Sequence, residues 1–150
     1  MTMRAWIALF VCAWLAACAN SPYGNFAEHS TPAINQKMAS ATARQLATLY
    51  PPASTRLQMG QEATDGYGIA LVRSLRASGY SVREFNPQAR AADKPANTTA
   101  SPLLVNYIVD APMDSNLYRI TLLVGRESLS RAYAVQNDRL QAAGVWVRKE

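Results

Sequence analysis

At 150 residues and 49% hydrophobic content, the chain is long enough for one domain and too apolar to be disordered throughout. Its formal net charge of +5 comes from 15 basic and 10 acidic side chains. The arginines, among them Arg44, Arg56, Arg73, Arg76, Arg83, Arg119, Arg131 and Arg148, are scattered rather than gathered in a stripe. That pattern argues for a solvated surface and against a nucleic-acid-binding one.

Residues 1–17 hold the three parts of a secretory signal: a basic start at Arg4, an uncharged apolar run and small residues at Ala16 and Ala17. The run is too short for a membrane span, which needs about 20 apolar residues. It ends in Leu15-Ala16-Ala17-Cys18, which resembles the bacterial lipobox. That resemblance implies removal of 1–17, a diacylglycerol on the Cys18 thiol and acylation of the freed amine. Two or more chains hold a protein firmly on a membrane. Ala19, where an Asp would signal inner-membrane retention, implies the outer membrane. With Cys12 removed and Cys18 lipidated, neither a disulfide nor a thiolate metal site is available.

Residues 18–32 are rich in turn formers and read as a flexible tether. Tyr23 and Phe26 are unneeded in a pure spacer and are candidates for partner binding, the other reading being incidental or head-group contact. His29, the single histidine, has no Cys, Asp or second His at ligand spacing and reads as a surface residue.

The domain, 33–150, follows. Thr31 can cap a helix with Pro32 in its first turn, and Pro51-Pro52 stops it; Ile34, Met38, Ala41, Leu46 and Leu49 share one side. A short strand is expected near 55–59, then a second helix capped by Thr64 or Asp65 and closed at Gly79, with Tyr67, Ala70, Leu71, Ser74 and Leu75 on one face. Gly66 and Gly68 weaken its first turn and suggest close approach of a neighbouring element. A strand at 80–85 opens into a long, mobile loop at 86–101. Four β-rich runs at 103–109, 117–124, 129–135 and 145–148 are joined by short links, which favour antiparallel pairing. Trp146 either completes the core or stays partly exposed as a contact. The sum is an α+β fold, two helices packed on one face of a mainly antiparallel four- to five-stranded sheet.

No catalytic constellation is present: there is no Gly-x-Ser-x-Gly turn, no His-Glu-x-x-His and no P-loop. Asp110 and Asp114 are the nearest carboxylate pair for glycan cleavage, but they flank a Pro-containing turn, where acidic residues serve the backbone. No cofactor or metal is expected.

Tyr50-Pro51-Pro52-Ala53-Ser54-Thr55, then Asp65-Gly66-Tyr67-Gly68 with Leu71, Leu75-Arg76-Ala77-Ser78-Gly79-Tyr80, Leu129-Ser130-Arg131-Ala132-Tyr133 and Ala143-Gly144-Val145-Trp146-Val147-Arg148 follow one another in order. Together they resemble the conjugal transfer lipoprotein family TrbH. The resemblance implies a non-catalytic, periplasm-facing outer-membrane lipoprotein of a type IV secretion system, acting in mating pair formation. Its expected partners are periplasmic and outer-membrane secretion subunits in a ring, with no direct contact to nucleic acid. The fold is also reminiscent of small periplasmic modules such as the secretin N0 domain. The competing reading is a free-standing envelope binding or quality-control lipoprotein.

Overall fold

The computed structural model describes residues 21–27, 29–88, 101–112, 115–137 and 139–150. Cys18, Asp114 and most of the loop expected at 86–101 lie outside the described residues.

Helix α1 (Pro32–Leu49) begins as its sequence dictates: the Thr31 hydroxyl accepts from the Ile34 N–H at 3.3 Å, and Pro32 occupies a position whose N–H has no helical use. It buries Ile34, Met38, Ala39, Ala43 and Leu46. Helix α2 (Gly66–Ala77) is capped by Asp65 and buries Tyr67, Ala70, Leu71, Ser74 and Leu75. Gly79, at φ 91°, supplies the left-handed residue that turns the chain out of α2. The two helices touch directly, joined by Gln36 Nε2 donating to Ser74 Oγ at 3.3 Å and by the Thr42 and Tyr67 hydroxyls at 3.0 Å.

Among the described residues, eight strands form one sheet: β1 (Gly24–Asn25), β2 (Arg56–Met59), β3 (Ser81–Arg83), β4 (Leu103–Asp110), β5 (Leu117–Val124), β6 (Glu127–Gln136), β7 (Arg139–Ala142) and β8 (Val147–Lys149). The main order is β3-β2-β4-β5-β6-β7. Two long strands each share one edge between two short ones. β4 pairs with β2 at Leu103 to Val105 and with β1 at Ile108 and Val109. β6 pairs with β7 at Tyr133 to Gln136 and with β8 at Ser128 to Ser130.

The expected sheet is corrected in two respects. It has eight strands rather than four or five, and it is mixed rather than mainly antiparallel, because β1, β2 and β3 run parallel to their neighbours. The helices account for part of this: α1 joins β1 to β2 and α2 joins β2 to β3, each returning the chain to the same end of the sheet so that the strands it joins point the same way. α1, about 27 Å long at 1.5 Å per residue, matches the roughly 26 Å reach of an eight-residue strand.

Alternation along the strands places Val105, Tyr107 and Val109 of β4 and Ile120, Leu122 and Val124 of β5 toward the helices, each at most 2% exposed. Their neighbours Asn106, Ile108, Asp110, Arg119 and Thr121 take the opposite face. Trp146 is partly buried and packs against the core.

Candidate functional site

Tyr23 and Phe26 flank β1, so the stretch read as a tether contributes a strand to the sheet. Phe26 N–H donates to the Val109 carbonyl at 2.7 Å, and Ala27 beyond it is 4% exposed. A two-residue strand has little stability alone. This one is fixed by Asn25, whose Oδ1 accepts from the Ala27 N–H at 3.0 Å and whose Nδ2 donates to Ser30 Oγ at 3.3 Å.

The two aromatics have different surroundings. Tyr23 is partly buried and joins Ser21, Pro22, Gln61, Glu62 and Phe85 around a cleft of about 370 Å³. Phe26 lies outside that lining and is 54% exposed. The structure therefore places them on one strip without bringing both into one cleft.

Gln61 is the polar feature of the cleft. Its Oε1 accepts from the Tyr107 N–H at 2.8 Å, while its buried Nε2 has no partner among the described residues. On the adjoining strand, the buried Asn106 leaves Oδ1 unpartnered; its side chain occupies the space above Gly60, where a Cβ would stand 2.8 Å from Asn106 Nδ2. Leaving a buried polar atom unbonded costs about 1–3 kcal/mol. Gln61 and Phe85 did not emerge from sequence reasoning; the one local signal was Gly60, a small residue ending an alternating strand.

Behind the cleft lies a latch. The Tyr107 hydroxyl donates to one oxygen of Asp65, whose other oxygen accepts from the Tyr67 N–H at 3.0 Å and the Gly68 N–H at 2.9 Å. Burial, followed by the Asp65 hydrogen bond, raises the Tyr107 phenol well above its ordinary value; burial does the same to Tyr67. Both remain neutral donors, and the group joins α2 to β4.

The other polar residues considered for chemistry are engaged elsewhere. Asp110 accepts a two-pronged contact from Arg119 across the β4–β5 pair, at 3.1 and 2.6 Å. His29 is exposed in the turn before α1. Among the described residues, no group of three His, Cys, Asp or Glu side chains is placed to hold a metal, and no helix is long and apolar enough to cross a membrane.

No curated protein matches the chain, and no solved structure does, an N0-type module included. The family model described as conjugal transfer protein TrbH matches residues 20–150. That span takes in every element described above, and the chain belongs to the TrbH family of conjugal transfer proteins.

Proposed function

We propose that this chain is a non-catalytic outer-membrane lipoprotein that anchors or stabilises the outer-membrane core of a conjugative type IV secretion system. One observation carries the reading: the family match begins at residue 20, directly behind Leu15-Ala16-Ala17-Cys18. The six positions from Cys18 to β1 span at most about 22 Å even when fully extended. A lipid on Cys18 therefore keeps the sheet close to the bilayer, and the strip carrying Tyr23 and Phe26 becomes the part of the domain nearest the anchor. Its partners in this reading are the periplasmic and outer-membrane secretion subunits that form a ring there.

The test is Cys18→Ser in donor cells, read as membrane fractionation and as plasmid transfer. The variant is expected to leave the outer-membrane fraction and to lower transfer. Normal fractionation or normal transfer contradicts the anchoring role.

A further inference from the structure

The groove between α1 and the β6–β7 end of the sheet is basic. It encloses about 400 Å³ and is lined by Lys37, Arg44, Arg131, Tyr133, Leu140 and Ala142 among others, with no carboxylate in its lining. Neither α1 nor α2 contains an Asp or Glu. Among the described residues, Lys37, Arg44 and Arg131 have no ion-pair partner.

Arg131 is held in place before any ligand arrives. Its Nε donates to the Gly144 carbonyl at 2.9 Å, and its guanidinium carbon lies 5.4 Å from the Tyr133 ring centre and 5.8 Å from that of Trp146. A planar guanidinium fixed in this way loses little further freedom on binding an oxyanion. Tyr133 is 4% exposed, and its buried hydroxyl makes no hydrogen bond of full geometry among the described residues, only a weak interaction with the Arg131 guanidinium. Burial raises this phenol above its ordinary value while Arg131 and Arg44 act in the opposite direction, so it stays a neutral donor flanked by two cations.

Strand β7 is the last in the sheet order, and its outer edge is unpaired among the described residues. An unpaired edge accepts another strand. Leu140 and Ala142, which line the groove, alternate with Arg139 and Gln141, so a strand added beyond β7 can direct alternate side chains into the groove.

We propose that this groove docks an extended acidic segment of a partner protein. The added strand pairs with β7 and directs a carboxylate to Arg131 and Arg44, with apolar side chains over Leu140 and Ala142. The strand edge favours a peptide over a lipid head-group or free phosphate, neither of which can use backbone pairing. The proposal is independent of the lipid on Cys18.

The test uses the full-length protein in mild detergent and a fluorescent peptide alternating Val with Glu, read by anisotropy. Saturable binding is expected, lost when every Glu is replaced by Gln. Arg131→Gln is expected to weaken it by at least about tenfold, the order of one charge-assisted hydrogen-bonded pair. Tyr133→Phe is expected to weaken it several-fold while leaving the melting temperature close to that of wild type, because the deleted hydroxyl makes no hydrogen bond of full geometry in the free protein. Equal affinity for the Gln peptide overturns the proposal, as does unchanged affinity in Arg131→Gln. Displacement of the peptide by millimolar inorganic phosphate, or tighter binding to phosphatidylglycerol vesicles, overturns it in favour of a phosphate or lipid site.

Discussion

Gly68 lies against Tyr107 so closely that a Cβ there would stand 2.9 Å from Tyr107 Cζ and 2.9 Å from the Ala63 Cα. The first turn of α2 can approach β4 only without a side chain at this position, and that approach brings the Tyr107 hydroxyl to Asp65. Alanine is the better helix former by about 1 kcal/mol. Here overpacking, at about 1–3 kcal/mol, outweighs that gain. Gly68→Ala is therefore expected to lower stability by up to about 2 kcal/mol in urea unfolding. Gly144, with no atom within 4 Å of its would-be Cβ, is the control, and its Ala variant should stay within about 0.5 kcal/mol. Equal stability of the two variants contradicts the close-approach account.

A second prediction concerns acid. Glu127 accepts from Arg148 Nε at 2.9 Å and Nη2 at 2.6 Å, and also from the Tyr50 hydroxyl. The Arg148 hydrogen bonds, followed by that of Tyr50, lower the Glu127 carboxyl below its ordinary 4.5. A depressed carboxyl stabilises the fold above its unfolded value, and that stability is lost as pH falls through the folded one. The stability advantage of wild type over Glu127→Gln should therefore be present at pH 7 and shrink at pH 3. A gap that is constant or grows toward low pH contradicts this pairing. Tyr50 reports the same contact from the alkaline side: burial and Glu127 push its phenol up to about 12, which favours the neutral form below that pH.

The third prediction separates folding from docking at the N-terminal strip. Phe26 is 54% exposed, and β1 is held by backbone bonds and by Asn25 rather than by the aromatic rings. Tyr23→Ala with Phe26→Ala is expected to leave the unfolding midpoint within about 1 kcal/mol of wild type and to lower plasmid transfer. Normal transfer by the double variant removes the strip from the partner surface.

The sequence was most legible where one residue type has one local use. Thr31 with Pro32, Asp65 and Gly79 mark helix ends because capping and left-handed turns depend on neighbours in the chain. The helix faces followed from spacing, and Gly66 and Gly68 were correctly read as a point of close approach, against Asn35 and Tyr107. Missing were β1 and β7. Gly24-Asn25 and Arg139-Leu140-Gln141-Ala142 contain no β-branched residue; the long edges of β4 and β6 recruit them. The parallel pairing of β2 with β3 and β4 was also hidden, since it is set by the connections that return the chain, α2 before β3 and the chain between β3 and β4, rather than by the strands themselves. Of the cleft, Tyr23 was legible as an aromatic out of place, whereas Phe26, singled out with it, lies outside the lining. Gln61 was not legible, because only the fold brings it to the Tyr107 backbone. Arg131 was likewise one scattered arginine until β6 placed it between Tyr133 and Trp146.

The central claim is that a lipid on Cys18 holds this TrbH-family domain at the outer membrane as a stable part of the transfer apparatus. Purification of the full-length protein from donor cells in mild detergent, with mass spectrometry of the N-terminal peptide and of co-purifying proteins, tests it most directly. The account predicts an acylated Cys18 as the first residue and secretion subunits in fixed ratio. An unmodified N-terminus, or an acylated protein that purifies alone, contradicts it.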